Sequence, residues 1–388
     1  MSRKSGLWTR REFSAGFAGI LGAPLFGLGQ VRNIFRGSNG PYNGFAYVGS
    51  TSVNSQGKIN VFSTKTVPWK CLQTIEAASP GHFERHPSMP VLYGVHSVSL
   101  WANLPRGAVS AYSVEPSIGH LRLLNTQPLS LSATAPRHAA VSHDGTHLIV
   151  AAEQGGSYNL LPIAQDGSLL APTGIRKELG LAENFLAKAA RPQCVIIHPN
   201  SKIILAADTG NESIHLFTLE DGELRLRHRL RVHTGAGPSQ LALSQNGDWL
   251  YAANSVDGSL TVHQVNSHTC RVSDTCLYIP NNTLGPKLMA MHPSGRFLAM
   301  VSRNSSAPGL AIFCIDTMDG RLAVVEDVAR PKAYSAITFS ANGQHFIGID
   351  SRTGQIEQSA FNIDSGTISD SNVMGELNAP TCLSLCSA

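Results

Sequence analysis

Residues 192–231 read PQCVIIHPNSKIILAADTGNESIHLFTLEDGELRLRHRLR, and this stretch decides the fold. It contains four short runs, of which the first two are mainly apolar and the last two alternate polar and apolar residues. Alternation of this kind is the pattern of a half-buried β-strand. Turn-forming residues separate the runs at 198–200, 209–212 and 220–223. The stretch therefore predicts four short β-strands joined by tight turns.

The same plan recurs along most of the chain, marked by a proline that stands six residues before a His or Ser turn anchor. The pairs are Pro80 with His86, Pro136 with Ser142, Pro192 with His198, Pro238 with Ser244 and Pro286 with His292. A sixth anchor, Ser340, lacks the proline. A polar residue recurs ten residues past the anchor, as His96, Asp208, Asn254, Ser302 and Asp350. The anchors are 56, 56, 46, 48 and 48 residues apart, a period typical of β-propeller blades.

Six anchors give six blades, and the seventh blade must be shared between the two ends of the chain. Residues 380–386 have the pattern of a first strand, and 45–50, 58–62 and 69–73 have those of the second, third and fourth. Pairing these segments closes the ring and removes free sheet edges. We therefore predict an all-β chain, a seven-bladed β-propeller of four-stranded blades over residues 44–388.

The first thirty residues have a different character. Arg10 and Arg11 precede a weakly apolar stretch, 14–28, that is rich in Gly and Ala. This pattern is typical of a twin-arginine export signal; the alternative is an accidental Arg-Arg pair before a buried helix. We predict a leader over 1–30, a linker over 31–43 and a periplasmic location reached by the twin-arginine route. Membrane attachment is expected only if the leader stays uncleaved.

Composition narrows the classes of function. Charged residues make up 14% and hydrophobic residues 42% of the chain, and the formal net charge is +4. Without a basic stripe interleaved with aromatic residues, nucleic acid is not expected as a partner. No His, Cys or Asp spacing resembles a zinc or haem site, so we predict neither metal nor any other cofactor. A closed ring has no sheet edge to cover, and we expect that the chain can be monomeric.

The chain resembles the lactonase family of seven-bladed propellers, which contains bacterial 6-phosphogluconolactonases and fungal carboxy-cis,cis-muconate cyclases. The resemblance rests on the repeated anchors and on 47–50, 207–210 and 302–304. It implies a site at one end of the central channel. Family elements survive in part as Pro136-Arg137-His138, Asp208-Thr209-Gly210 and Ser302-Arg303. The family's His-x-His, Gly-Pro-Arg-His and Asn-Glu are replaced by Gln193-Cys194-Val195, Gly237-Pro238-Ser239-Gln240 and Asn254-Ser255.

Residues at these positions are the candidates for the site. Opening a lactone needs a base for water and donors or cations for the developing oxyanion. The catalytic candidates are His138, Asp208 and Arg303. The substrate-binding candidates are Arg137, Glu153, Gln193, Gln240 and Asn254. His138 with Asp208 or Glu153 would form a general base, and Arg303 with Arg137 would bind an anion.

Structural alternatives stand beside these roles. Asp208 is equally suited to accept backbone amides at a blade turn, and Arg303 to form an ion pair at the channel rim. The histidines at the turn anchors are interpreted as turn and packing residues, namely His86, His143, His198 and His292.

Three functions remain open at this point. The first is hydrolysis of a sugar lactone or related cyclic ester without a metal, as a carboxylic ester hydrolase. The second is a non-catalytic exported propeller that binds a sugar acid or a protein partner, which the replaced family residues favour. The third is a lactone-forming cycloisomerase. An export signal argues against 6-phosphogluconolactone as substrate, because that compound is made in the cytoplasm.

Overall fold

The computed structural model describes residues 43–387 except 52–55, 179–188, 274–276, 280–285, 303–308 and 330–331. The predicted leader and linker lie outside the described residues apart from Asn43. In chain order the strands are β1 Gly44–Thr51, β2 Gln56–Ser63, β3 Lys70–Ala78, β4 Pro80–Arg85, β5 Val91–His96, β6 Ala108–Val114, β7 Leu121–Pro128, β8 Thr134–Val141, β9 His147–Gln154, β10 Ser157–Pro162, β11 Gly174–Lys177, β12 Pro192–Ile197, β13 Ile203–Asp208, β14 Ser213–Glu220, β15 Glu223–Arg231, β16 Pro238–Leu243, β17 Trp249–Asn254, β18 Leu260–Asn266, β19 Arg271–Val272, β20 Leu277–Ile279, β21 Pro286–Met291, β22 Phe297–Ser302, β23 Gly309–Ile315, β24 Leu322–Ala329, β25 Tyr334–Phe339, β26 His345–Asp350, β27 Gln355–Asn362, β28 Thr367–Glu376 and β29 Pro380–Ser387.

The strands form seven antiparallel sheets, the blades of a closed propeller. Blades 1 to 6 are β4–β7, β8–β11, β12–β15, β16–β20, β21–β24 and β25–β28, and blade 7 is β29 with β1–β3. In blade 4 the outer position is shared by β19 and β20, which both pair with β18. The first strands of the blades lie side by side around the central channel, and β29 lies between β25 and β4. The predicted seven-bladed fold and its closure by the C-terminal strand are therefore confirmed.

The core is distributed over the interfaces between blades. Among the described residues there are seven hydrophobic clusters, one at each of the seven interfaces. Between blades 2 and 3, for example, Ile149 and Tyr158 pack with Val195 and Phe217. Each fully buried side chain of this size contributes roughly 1.5–3 kcal/mol relative to exposure. Stability therefore comes from the contact of neighbouring blades around the whole ring.

Buried tyrosines on the second strands connect blades by hydrogen bonds. Tyr93 donates its hydroxyl to the carbonyl oxygen of Gly167 in blade 2, at 3.0 Å. Gly167 has a φ of +83°, which a glycine adopts without strain. Tyr47 and Tyr251 make the equivalent bonds to Gly119 and Gly320. Aromatic burial and a satisfied hydroxyl thus act together at these interfaces.

The two ends of the ring carry different features. At the anchor end, where the first strands finish, His86 Nε2 donates to Gly145 O of the next blade at 2.9 Å. Its Nδ1 accepts the amide of Ser88. His292 bonds Gly343 O in the same way at 2.8 Å. The interpretation of these anchor histidines as turn and packing residues is confirmed.

The opposite end is called the proline end here, because the first strands begin there at their prolines. Each repeat proline pairs with the residue ten positions after the anchor, which is polar opposite Pro80, Pro192, Pro238 and Pro286, as His96, Asp208, Asn254 and Ser302, and is Ala152 opposite Pro136. Tyr334 takes the place of the missing sixth proline, opposite Asp350. The sequence repeat therefore marks both strand ends that meet at the proline end. Among the described residues there is no helix long and apolar enough to cross a membrane.

Candidate functional site

The described site candidates all lie at the proline end, in blades 2, 3 and 4. Arg137 and His138 belong to β8, and Glu153 is next to last in β9. The remaining four are Gln193 in β12, Asp208 at the end of β13, Gln240 in β16 and Asn254 at the end of β17. Arg303 lies outside the described residues, so its predicted roles stay predictions. The other seven candidates therefore lie together in one sector of the channel mouth at the proline end.

A β-bulge follows the first residue of each first strand, a proline except for Tyr334 of β25, and directs one side chain away from the ladder. The register shifts between Pro136 and His138 in β8 and between Pro192 and Cys194 in β12. Bulges of this kind bend a strand and re-aim a side chain. The bulged residues are Arg137, which is exposed, and Gln193, which is partly exposed. The Gln193 amide has no hydrogen-bond partner among the described residues and is free to bind a ligand.

A buried carboxylate joins two guanidinium groups at this mouth. Glu153 Oε2 accepts a hydrogen bond from Arg137 Nε at 2.5 Å, and Oε1 accepts one from Arg191 Nε at 3.1 Å. The Arg191 terminal nitrogen also contacts Glu153 Oε1. The Glu153 side chain is 4% exposed, whereas those of Arg137 and Arg191 are 50% and 57% exposed. One carboxylate therefore fixes two cations while leaving half of each open to solvent.

The charge state of Glu153 follows from this geometry. Burial alone would raise the pKa of its carboxyl group, but hydrogen bonds and charge from Arg191 and Arg137 outweigh burial and hold the pKa below its usual value. Glu153 is therefore ionised at neutral pH. Two guanidinium groups sharing one carboxylate leave a net positive charge at the mouth, which favours an anionic ligand or transition state.

Asp208 is fully buried, and its carboxylate accepts hydrogen bonds from backbone amides, including that of Arg191. Its Oδ1 accepts the Arg191 amide at 2.8 Å and the Asn211 amide at 2.9 Å, and its Oδ2 accepts the Asn211 side-chain amide at 3.0 Å. Burial raises its pKa, and these hydrogen bonds oppose the shift. The structure thus places Asp208 as an acceptor of turn amides, the structural role considered above, and as the support of the Arg191 backbone.

His138 belongs to the wall between the first strands. Its ring stacks on His82 of blade 1 with centroids 3.9 Å apart, and its Nδ1 is buried without a partner. Burial, and then the charge of His82, lower the pKa of His138 well below its ordinary value. His138 is consequently neutral. Among the described residues it makes no hydrogen bond to Asp208 or Glu153, so the predicted pairing with either carboxylate is not found in this conformation.

Gln240 and Asn254 make hydrogen bonds within the propeller, and among the described residues Asn254 Oδ1 has no partner. Gln240 Oε1 accepts the amide of Met289 in blade 5 at 2.5 Å. Asn254 is fully buried, and its side-chain amide donates to the hydroxyls of Ser259 and Thr261 at 2.9 and 3.2 Å. A side chain without exposed surface does not contact a ligand in the channel. The structure gives both residues a role in holding strands and blades together.

Sequence reasoning missed Arg191, the second cation of the cluster. Its signal is its position, directly before a repeat proline. Small residues stand before the other repeat prolines, as Ser79, Ala135, Gly237, Gly285 and Ala379. Arginine at this position differs from the small residue found in the other repeats. A residue that differs in this way is not required by the fold. The described residues contain no group of three or more His, Cys, Asp or Glu side chains placed to hold a metal ion.

Comparison with known proteins identifies the family. A family model described as "Lactonase, 7-bladed beta-propeller" matches residues 45–385. The chain belongs to the lactonase family of seven-bladed β-propellers. The part of the resemblance that concerns the family is thereby confirmed.

Relatives within the family are distant. The 6-phosphogluconolactonase of Serratia proteamaculans is 27% identical over 297 residues, which cover 74% of this chain and 82% of that protein. The 6-phosphogluconolactonase of Bacillus subtilis is 22% identical over 256 residues, or 65% and 71% of the two chains. The solved structure of the periplasmic gluconolactonase of Pseudomonas aeruginosa superimposes with a TM-score of 0.78 at 20% identity, covering 89% of this chain and 99% of that one. This last similarity shows the shared fold.

Proposed function

We propose that this chain hydrolyses a sugar lactone or a related cyclic ester at the proline-end mouth, without a metal ion. The observation that carries the proposal is the pair of half-exposed guanidinium groups of Arg137 and Arg191 on one buried carboxylate. Relatives named 6-phosphogluconolactonase and gluconolactonase support a lactone as the substrate class.

The chemistry requires stabilisation of negative charge. Water adds to the lactone carbonyl carbon, and the carbonyl oxygen becomes an oxyanion. The ring C–O bond then breaks, the ring oxygen takes up a proton as a hydroxyl, and a carboxylate is left. Arg137 and Arg191 are placed to stabilise the oxyanion and then the carboxylate, since both carry their charge in the same small region. In this proposal Glu153 holds the two cations, Gln193 orients the sugar hydroxyls, and Arg303 is a further anion ligand.

A second candidate is a non-catalytic propeller that binds a sugar acid. This second candidate is favoured because none of the described candidate bases is well suited to accept a proton from water. Glu153 is occupied by two guanidinium groups, and Asp208 by three N–H donors. His138 is buried at Nδ1 and has a strongly lowered pKa, which makes it a weak base. The same cations would bind the carboxylate of a sugar acid without any reaction.

Titration of acid release from an aldonolactone, a uronolactone and an aliphatic δ-lactone tests the proposal. We expect turnover above the uncatalysed rate, and a fall in kcat/KM of roughly 100-fold in Arg137→Gln and in Arg191→Gln, the size seen when one oxyanion donor is removed. Arg122→Gln, at an exposed arginine on β7, is the matched control and should keep full activity. His138→Gln tests whether that ring takes part in proton transfer.

The same variants separate the two candidates. If no lactone is turned over, calorimetric titration with the corresponding aldonate decides. Binding that is lost in Arg137→Gln establishes the sugar-acid binder. Absence of both turnover and binding in the folded protein would show that the arginine pair does not serve lactones or their acids.

We also propose export to the periplasm by the twin-arginine route. The support is the Arg10-Arg11 pair before residues 14–28, together with the periplasmic location named for one protein of the same fold. Cell fractionation should find the protein in the periplasm, and replacing both arginines by lysine should retain it in the cytoplasm. Periplasmic delivery that survives this replacement would exclude the twin-arginine route.

A further inference from the structure

A buried polar seam separates blades 2 and 3 outside the candidate site. We use this term for Tyr158 of β10, Glu178 after β11, Asn211 before β14 and His215 of β14. All four side chains are almost completely buried. The seam has no part in the proposed reaction.

A bridging carboxylate forms the outer end of the seam. Glu178 Oε1 accepts Arg176 Nε of blade 2 at 2.9 Å, and Oε2 accepts the Arg229 terminal nitrogen of blade 3 at 2.5 Å. Strand register places Arg176 opposite Tyr158 and Arg229 opposite His215. The Tyr158 and His215 rings, with centroids 6.4 Å apart, therefore lie beside this bridge.

Among the described residues, three polar atoms of the seam have no hydrogen-bond partner. They are Tyr158 Oη, His215 Nδ1 and Asn211 Oδ1. His215 uses its other nitrogen, since Nε2 and Ser213 Oγ are 2.9 Å apart, and Asn211 uses its amide nitrogen on Asp208. Folded proteins satisfy nearly all buried polar groups, by protein or by ordered water. Three such atoms at one blade interface thus call for a bound partner.

The chemistry of the seam selects a neutral partner. Burial raises the pKa of Tyr158 well above its usual value and lowers the pKa of His215 to about 4, so both groups are uncharged at neutral pH. Two guanidinium groups, of Arg176 and Arg229, and two carboxylates, of Glu178 and Asp208, surround the seam. Their charges balance, so they favour neither a cation nor an anion. A ligand is needed that accepts from a hydroxyl and donates to an amide oxygen, and water does both.

We propose that the seam between blades 2 and 3 binds ordered water molecules, which hydrogen-bond Tyr158 Oη, His215 Nδ1 and Asn211 Oδ1. This water site does not depend on the proposed lactonase activity. Without this water, hydrophobic contacts would have to close the interface between the two blades. The water site lies directly behind the hydrogen bond between Asn211 and Asp208, and Asp208 in turn holds the backbone amide of Arg191.

Tyr158→Phe tests the proposal, because the direction in which the guanidinium denaturation midpoint shifts depends on whether the seam holds water. In a hydrated seam the hydroxyl is satisfied, so its loss lowers the guanidinium denaturation midpoint. Tyr93→Phe is the matched control, because that hydroxyl donates directly to Gly167 O. We expect a downward shift of similar size in both variants. In a dry seam the Tyr158 hydroxyl is an unsatisfied buried group, and removing it leaves the midpoint unchanged or raises it.

The second measurement is a crystal structure of the wild-type chain at a resolution that shows ordered solvent. This test remains valid even if Tyr158→Phe fails to fold. Water density within hydrogen-bond distance of the three atoms is the expected result. A seam without such density, or a midpoint that does not fall in Tyr158→Phe, overturns the proposal.

Discussion

Asp208 shows how a residue with a catalytic signature can instead support its neighbour. Its carboxylate holds the backbone amide of Arg191 and two N–H groups of Asn211, and it has no exposed surface. Asp208→Ala would leave these donors buried and unpaired. We expect a loss of about 3 kcal/mol in the free energy of unfolding, at the upper end for unsatisfied buried groups. Chemical denaturation measures this loss.

Asp364→Ala, at an exposed turn position, is the control and should stay within about 0.5 kcal/mol of wild type. Any catalytic defect of Asp208→Ala should appear with a misplaced Arg191 and resemble that of Arg191→Gln. A variant of unchanged stability but abolished turnover would contradict this supporting role and restore Asp208 as a catalytic residue.

At the residue scale the sequence predicts the site only in part. Arg137 is found because a family motif marks it, and Glu153 because it directly follows Ala152, which holds the recurring position in its repeat. Arg191 is invisible to the same reasoning, because its contact with Glu153 crosses from blade 3 to blade 2. Contacts between repeats are not encoded by the period of one repeat.

At the element scale, hydroxyl groups directly after two second strands bond the carbonyl of the proline that opens the first strand of the next blade. Thr209 Oγ1 donates to Pro238 O at 2.7 Å, and Ser97 Oγ donates to Pro136 O at 2.7 Å. The β-bulge after each proline interrupts the ladder there. The carbonyl is consequently available to the adjacent blade, and the bulge becomes a point of attachment between blades.

Thr209→Val removes one such bond with little change of shape. We expect the free energy of unfolding to fall by about 1 kcal/mol, the net worth of a hydrogen bond. Thr66→Val, at an exposed loop threonine, should have a much smaller effect. Equal effects of the two substitutions in urea denaturation would show that the bond between blades does not contribute.

The strands themselves are predictable, whereas these attachments are not. Prolines mark where first strands begin, anchor turns mark where they end, and alternation marks the outer strands. The bulge shifts the register by one residue, and this decides which side chain faces the channel and which faces the next blade. Pattern alone carries no sign of that shift in β8 or β12.

At the scale of the whole molecule, buried histidines make stability depend on pH. Burial lowers the pKa of several histidines, among them His96, His138, His147, His198, His215, His263 and His292. A lowered pKa means that the folded state keeps the ring neutral while the unfolded state takes up a proton. The stabilisation is therefore complete above the unfolded value of about 6.5 and is lost as the pH falls toward the folded values.

We expect the denaturation midpoint to fall steadily between about pH 6.5 and pH 4. His215 and His263, whose pKa values fall to about 4, each account for roughly 3 kcal/mol of this loss at most. His263→Gln should make the profile less steep. A midpoint that is equal at neutral pH and near pH 5 would show that these rings accept protons without unfolding.

Ring closure is the remaining property of the whole molecule, and it rests on β29. This strand pairs with β1, packs between β4 and β25, and accepts a hydrogen bond from Arg85 at Leu385 O. Removing 380–388 would expose the edge of β1, uncover the sides of β4 and β25 that pack on β29, and open blade 7. We expect the truncated chain to aggregate or to unfold at a much lower denaturant concentration, because exposed strand edges pair with other chains.

A circular permutant separates closure from chain connectivity. Gly44 pairs with Ser387, so a two-residue Asn-Gly turn can join them, and Met318, 87% exposed, is a suitable place for new termini before Asp319. All four strands of blade 7 are then continuous in sequence, and the inter-blade contacts are unchanged. We expect the permutant to unfold cooperatively within about 2 kcal/mol of the parent chain lacking residues 1–42, a modest effect for a change confined to exposed turns. If truncated and permuted chains were equally unstable, covalent order would matter more than closure. If the truncated chain kept its midpoint, the stability of the ring would not depend on β29.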